Sequence, residues 1–246
     1  MKKLFRRLLI GAFWMVVWWA IALAVGLPKL LPGPPETVEA LVRLAGTAVF
    51  WRGVGLTLLR VAMGYLLAVL TGTALAAACW RFKGVDALLS PLRTVIKATP
   101  VSSFILLVWL WLKRVQVPVF ISFLMVLPII WTAVQEALGA VDGNLKEMTS
   151  MYRFSRWQKV RYLYAPSVKP TFMAAALTGL GFAWKSGIAA EVIALTPDSV
   201  GKHLSDAKIY LEYPDLFAWT LTVILLSMVL EGALKAAARR GKGARK

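Results

Sequence analysis

Residues 147–166 read EMTSMYRFSRWQKVRYLYAP, the longest polar and basic interval in an otherwise very apolar chain. Apolar segments flank it, VQVPVFISFLMVLPIIWTAVQ (115–135) before and PTFMAAALTGLGFAW (170–184) after. A chain that merely crossed a membrane and returned would need only a few residues here. This one spends about thirty-five, from Glu136 to Pro170, and loops of that length inside a compact fold usually carry function. The interval is therefore read as a docking surface for a soluble partner on the cytoplasmic side.

Composition sets the frame. The 246 residues are 59% hydrophobic with a formal charge of +17, and the mean hydropathy is +0.68 with a pI near 10.4. Soluble domains run near half apolar, and long uncharged apolar runs indicate membrane spans. The basic residues lie between the apolar runs, not along one amphipathic face, so positive loops explain the charge and nucleic-acid binding is set aside. The single cysteine, Cys79, excludes an internal disulfide and any cysteine-cluster metal site. It ends an apolar run and is expected to be buried or to face lipid. Trp51, Trp80, Trp111 and Trp131 fall near the ends of apolar runs, as interfacial aromatics do.

Taken in order, four basic residues in 1–7 precede an uncharged run over 8–27. A signal peptide has the same order but a core of only about 7–15 apolar residues; at about 1.5 Å per residue this run crosses a 30 Å hydrocarbon layer. It is read as an uncleaved first span. The proline-rich LPKLLPGPP cannot be helix interior, and a short surface helix is expected from about Glu36. The second span covers about 54–80, with Arg60 near its start. Gly64, Gly72 and the alanines 74 and 76–78 would admit close helix neighbours. RFKGVDALLSPLRTVIK (81–97) reads as a basic loop. A short third span is expected over 99–112, with a tight turn at Lys113 and Arg114. A fourth follows over 117–135, with Pro118 in its first turn and a kink at Pro128.

Beyond the long interval, the fifth span is placed at 171–194 and holds Lys185 and Glu191. TPDSVGKHLSDAKIYLEYPD (196–215) reads as an external loop with a short amphipathic helix. The last span is placed at 216–233, followed by a frayed basic tail over about 235–246. Six spans put both termini on one side. About 20 Lys and Arg lie in the N-terminal tail, the second and fourth loops and the C-terminus, against about 7 in the other loops. That asymmetry assigns both termini and residues 147–166 to the cytoplasm. Residues 1–246 are read as one transmembrane domain, without an internal repeat or a nucleotide-binding domain. The nearest approach to a phosphate loop, GLGFAWKS (179–186), has Trp184 where a glycine must precede the lysine, and it is rejected.

At residues 147–166 the sequence resembles the permease subunits of ATP-binding-cassette importers, in the nitrate/sulfonate/taurine-type branch. Their cytoplasmic signature is Glu-Ala-Ala, three residues, Gly, nine residues, Ile, one residue, Leu-Pro. Here Glu147, Met148 and Thr149 are followed after three residues by Arg153, and after nine more by Leu163, Tyr164, Ala165 and Pro166. The spacing is kept; Glu147 and Pro166 are identical and Leu163 is a conservative change. Arg153 stands at the family's glycine, where a positive φ is often needed, and the turn is expected to be built differently to spare it. LPGPPETVEALVRL (31–44), LTLLRVAMGYLLAVLTGTALA (56–76) and GLGFAWKSGIAAEVIA (179–194) resemble the segments around helix 1, the second span and the fifth span, in the same order.

The resemblance implies an all-α membrane protein with six transmembrane helices and a type I importer permease fold. It implies a bacterial inner-membrane transport subunit, not an enzyme, that works as a dimer and binds no cofactor itself. ATP and Mg would belong to a separate ATPase dimer, and an extracytoplasmic binding protein would meet residues 32–44 and 197–214. Glu147 would bond a donor or a helix N-terminus of the ATPase. Met148, Met151, Tyr152 and Phe154 would supply adaptable apolar contact. Arg153, Arg156, Lys159 and Arg161 would pair with acidic groups or lipid headgroups.

Charges inside spans usually face a cavity or a partner. Lys185 and Glu191 lie six apart, about 240° around a helix, so they do not pair along it. Lys185, Glu191, Trp184 and Arg60 are the translocation-path candidates. Lys185 would attract an anion, and Glu191 would tie the fifth span to the external loop or a gate. Arg60 is expected to extend to the outer interface. His203, the single histidine, is read as surface. The rival reading is an ion-coupled secondary transporter using Lys185 and Glu191; the repeated halves common in such carriers are absent from the sequence.

Overall fold

The computed structural model describes residues 2–27 and 30–243. Pro28 and Lys29 of the proline-rich exit, and the last three residues of the basic tail, lie outside that range. The described residues form helices without a strand: α1 (Lys2–Val25), α2 (Pro34–Ala45), α3 (Ala48–Arg81), α4 (Lys83–Ala98), α5 (Val101–Trp109), α6 (Val117–Gly139), α7 (Gly143–Met151), α8 (Arg156–Lys159), a π-helical turn (Val160–Tyr164), α9 (Ala165–Ala194), α10 (Val200–Ile209) and α11 (Tyr213–Gly243).

Local chemistry sets the breaks. α2 opens on Pro34, whose missing N–H costs nothing in a first turn. Thr47 caps α3 by accepting the Phe50 N–H. Thr99 precedes Pro100 and is held extended at φ −82°, ψ 131°, so α4 ends there. α5 leaves at 104° to α4.

The core is the packing of α3, α6 and α9 on one another, through fully buried Ala68, Ala76, Val126, Ile130 and Ala183. Gly64 makes the α3–α6 approach possible. A Cβ built there would lie 2.3 Å from the Val119 carbonyl oxygen, so only glycine fits. A smaller cluster of Phe50, Val54, Val200 and Trp219 joins α3, α10 and α11 at the opposite end from α7.

Among the described residues three helices, Ala48–Arg81, Val117–Gly139 and Tyr213–Ala236, are long and apolar enough to cross a bilayer, and the bent α4–α5 pair would make a fourth. The described apolar part of α1, Leu9–Val25, is shorter. Several sequence expectations are corrected. Residues 81–97 are not a loop but α4, whose polar residues occupy one flank of a helix. The thirty-five-residue interval is largely helical: α6 continues to Gly139, α7 follows, and from Arg156 the chain runs through α8 and the π turn into α9. The tail remains helical to Gly243. Trp131 is not interfacial; it is buried at 1% exposure beneath the Arg93 guanidinium, 5.1 Å from its ring.

Candidate functional site

Two constructions stand at opposite ends of the α3–α6–α9 core. The first is the hairpin of residues 147–166. Asp142 caps α7, its carboxylate accepting the Asn144 N–H at 2.9 Å. The helix ends in a Schellman motif: the Phe154 N–H donates to the Thr149 carbonyl at 2.9 Å, and the Arg153 N–H to the Ser150 carbonyl at 3.0 Å. Arg153 occupies the left-handed position with φ 51°. The turn is thus built as the family's glycine would build it, contrary to the expectation that it would be remodelled. The two reciprocal backbone bonds require that conformation whichever residue stands there. Ser155 then opens α8 with a capping box, accepting the Gln158 N–H while the Gln158 side chain accepts the Ser155 N–H. Lys159 Nζ donates to Ser150 Oγ at 3.2 Å across the hairpin.

The inner face of this hairpin is spent on packing. Thr149 and Leu163 are buried, Phe154 meets Tyr162 edge-on, and Tyr164 meets Trp80 of α3 with centroids 5.1 Å apart. Its outer face is uncovered. Met151 is 83% exposed, Tyr152 74% and Trp157 69%. Glu147 and Met148 are exposed beside them, as are Arg153 and Ala165, and Pro166 is half-buried. Glu147 makes no hydrogen bond or ion pair among the described residues. Isolated exposed apolar residues are ordinary, but several on one hairpin mark a contact surface. Trp157, the most exposed aromatic after Tyr152 on this face, was not singled out from the sequence; its position one residue into α8 gave no periodic signal.

The second construction surrounds Glu191, whose side chain is wholly buried near the end of α9. Thr57 Oγ1 of α3 lies 2.9 and 3.0 Å from its two carboxylate oxygens. The Gly201 N–H, in the first turn of α10, donates to Oε2 at 3.2 Å, and the Val200 N–H donates to Thr57 Oγ1 at 3.1 Å. These are N–H groups that a helix start leaves free, and they attract a carboxylate. Arg60 Nη1 lies 3.4 Å from Oε1, and the guanidinium also donates to the Pro197 and Asp198 carbonyls at 3.1 and 3.2 Å. Arg60 is thus tied to Glu191 and to two carbonyls of the loop that follows α9. Thr57 and Arg60, three apart on α3, present both donors toward α9. Thr196 adds a tie from its hydroxyl to the Arg114 carbonyl at 3.0 Å.

The remaining candidates separate. Trp184 is buried and donates its Nε1–H to the Val223 carbonyl of α11 at 3.1 Å; it joins two helices and does not face an open surface. Lys185, next in sequence, is exposed and makes no hydrogen bond or ion pair among the described residues. The structure thus brings Arg60 and Glu191 together and leaves Lys185 apart from them. His203 is half-buried, not surface, and stacks on Trp219 with centroids 4.8 Å apart at 6°.

Known proteins resemble this chain. It is 24% identical over 234 residues to the taurine transport system permease protein TauC of Escherichia coli (strain K12), covering 92% of this chain and 84% of that one. It is 28% identical over 198 residues to the nitrate import permease protein NrtB of Synechococcus elongatus (strain ATCC 33912 / PCC 7942 / FACHB-805), covering 73% and 68%. Among solved structures it resembles a bacterial ABC transporter involved in the import of the acidic polysaccharide alginate. There the TM-score is 0.56 at 17% identity, over 97% of this chain and 98% of that one. An amino acid ABC transporter aligns with a TM-score of 0.57 at 15% identity, covering 85% and 94%. The fold is that of the type I importer permeases. Residues 64–242, most of the chain and both constructions apart from Thr57 and Arg60, match one family model, and the chain belongs to that family, the binding-protein-dependent transport system inner membrane component.

Proposed function

We propose that this chain is the permease subunit of an ATP-driven importer, two copies of which line the translocation path. Residues 147–166 dock an ATPase subunit, and ATP and Mg belong to that partner. The observation that carries this reading is continuity: from Arg156 one helical run reaches Glu191 and the bonds it makes with Thr57, Arg60 and Gly201. A displacement imposed on the hairpin by ATPase closure is transmitted along a stiff rod to the far end. Met148, Met151, Tyr152 and Trp157 give the contact area, Phe154 being turned inward onto Tyr162, and Glu147 gives a charge free to bond a donor of the ATPase.

The six crossings of this reading are α1, α3, the bent α4–α5 pair, α6, α9 and α11, with both termini and the hairpin cytoplasmic by the distribution of Lys and Arg. The external segments 32–44 and 197–214 meet an extracytoplasmic substrate-binding protein. Lys185 supports the dimer. A lysine exposed to lipid in a membrane helix costs about 2.5–3.5 kcal/mol, and a water-filled path between two copies removes that cost. The substrate class is a small solute, with an anion favoured by Lys185; relatives named for taurine, nitrate and riboflavin span that range. Ion coupling through Lys185 and Glu191 is disfavoured, because both oxygens of Glu191 are already bonded within α3 and α10.

The test is co-purification of the tagged chain from its native membrane, with Glu147→Arg in parallel. An ATP-binding-cassette ATPase is expected to elute with the wild type and to be lost or weakened in the variant. A well-folded wild type that elutes without any ATPase would sink the proposal.

A further inference from the structure

Helix α9 shows two unlike faces. One is spent on packing: Ala176, Gly179, Ala183, Gly187 and Ala190 recur along it and are buried. A Cβ built on Gly187 would lie 2.6 Å from Ser122 Oγ, and one on Gly179 3.0 Å from Val126, both of α6. The face turned away from α6 carries Thr171, Ala174, Thr178, Phe182 and Lys185, all exposed. Their spacing of three and four residues keeps them within about 80° of arc, in a single stripe about 21 Å long.

The chemistry of this stripe is not that of a lipid-facing surface. The exposed faces of α3 and α11 present Leu59, Leu66 and Leu70, and Leu225, Met228 and Val229. Exposed threonines on those two helices close their hydroxyls on their own backbone: Thr71 donates to the Leu67 carbonyl at 2.7 Å and Thr220 to the Leu216 carbonyl at 2.8 Å. A hydroxyl in hydrocarbon has to do this, because no water is there to bond it. Thr178, well inside α9, does not; neither its hydroxyl nor that of Thr171 has a hydrogen bond among the described residues. Free hydroxyls and the unpaired Lys185 ammonium on one stripe call for water along it. Phe182 is the exception, the one bulky side chain there. It stands about 4.5 Å along the helix axis from Lys185 and about 6 Å from Thr178.

We propose that this stripe lines an aqueous path for a small anion, with Thr178 as a second contact for it and Phe182 as the constriction between Thr178 and Lys185. The inference rests on the reading of the chain as one of two permease copies. Lys185 draws the anion in by charge. Phe182 has no atom that bonds an anion or water, and an apolar ring in a narrow path holds both back. Thr178 has a hydroxyl free to donate once the ring is passed. Because Phe182 lies on the helical run that starts at Arg156 in the hairpin, a movement of the hairpin moves the ring.

The experiment is cysteine substitution in the full chain, labelled in native membranes with charged methanethiosulfonate reagents. Cys79 is buried at 2% exposure, so the wild type is the blank. Thiols react as thiolates, and a thiol held in hydrocarbon stays protonated. In permeabilised membranes Thr178→Cys is expected to label about ten-fold or more faster than Leu66→Cys on α3 or Leu225→Cys on α11. Relative to a free thiol in solution, the anionic sulfonate reagent should be favoured over the cationic trimethylammonium reagent about five-fold at Thr178→Cys, and Lys185→Gln should remove that preference. In sealed right-side-out vesicles, adding Phe182→Ala to Thr178→Cys should speed labelling about ten-fold, whereas Phe182→Trp keeps it slow. The substituted side chains are exposed, so these variants should fold, and thermal midpoints check that. Labelling of Thr178→Cys no faster than that of Leu66→Cys would place the stripe against lipid and overturn the proposal. A disulfide between copies at Thr178→Cys without labelling would show a dry interface and overturn it as well. So would the absence of an anion preference, or a rate unchanged by Phe182→Ala. These rates ask only where water and anions reach. An ATPase that co-elutes with a chain whose Thr178→Cys stays unlabelled sinks this inference and leaves the importer reading standing.

Discussion

Arg153 holds φ 51° because the Schellman bonds of Thr149 and Ser150 close only with that residue left-handed. A non-glycine residue there costs roughly 1–2 kcal/mol, and the extra chain entropy of glycine returns roughly 0.5–1 kcal/mol of this. Arg153→Gly is therefore expected to stabilise the purified chain by about 0.5–1 kcal/mol, read as a rise in thermal midpoint; a fall would count against the strain argument. Gly201 presents the opposite case. A Cβ there would lie 2.3 Å from Glu191 Cβ and 2.7 Å from the Val192 nitrogen, which is backbone and cannot swing away. Gly201→Ala must push α10 off α9 and break the bonds to Glu191 and Thr57, at a cost of about 3 kcal/mol. Thermal unfolding in detergent checks this, and an unchanged midpoint would contradict it. The register from Glu147 to Arg153 was legible in the sequence because it is local. The bonds of Glu191 to Thr57 and Arg60 were not, since they join residues more than a hundred positions apart. Arg60 could be seen only as a charge near a span end, where reaching for water is the ordinary outcome.

At the scale of elements, helices with an apolar period were legible and polar helices were not. α2 and α10 were expected as a short surface helix and a short amphipathic helix; the structure adds their local causes, Pro34 in the first turn of α2 and the Ser199 cap of α10. α4 was read as a loop because Pro91 and four basic residues in 81–97 mimic loop composition, although its cations recur on one flank. Likewise 136–170 advertised its surface character, but polarity alone does not distinguish a loop from a solvated helix. The capping box at Ser155 is the local cause of the second half of the hairpin. Ser155→Ala removes the acceptor of the Gln158 N–H and should cost about 1 kcal/mol at the start of α8. Amide hydrogen exchange is the appropriate readout: faster exchange confined to about residues 156–160 is expected. Unaltered protection there would mean that the π turn and Leu163, not the cap, hold the hairpin.

At the scale of the whole molecule, the apolar runs announced a membrane protein. The small residues of α3 announced its closest packing, where Gly64 touches the α6 backbone. What joins the two ends is the helical run from Arg156 to Ala194; its part over 171–194 was read as the fifth span, and its start over 156–170 was hidden because its charged residues dilute its hydropathy. The Glu191 end of the bundle depends on how α10 is seated, and His203 reports on that seat. Its ring lies flat on Trp219, with the backbone of Gly53 behind it. Burial pushes its pKa below the ordinary histidine value of 6.5; Asp206 and Asp198 pull upward and Lys202 adds to the downward shift. The unfolded chain therefore takes up this proton more readily than the folded one, so stability rises with pH between the folded and unfolded values. The contribution is complete above about pH 6.5 and is lost as pH falls through the depressed folded value. Thermal midpoints of the detergent-purified chain, measured from pH 8 down to pH 5, should fall more steeply for wild type than for His203→Gln, which has no proton to gain. Parallel curves would mean that the imidazole charges in place, against Trp219, without loosening α10.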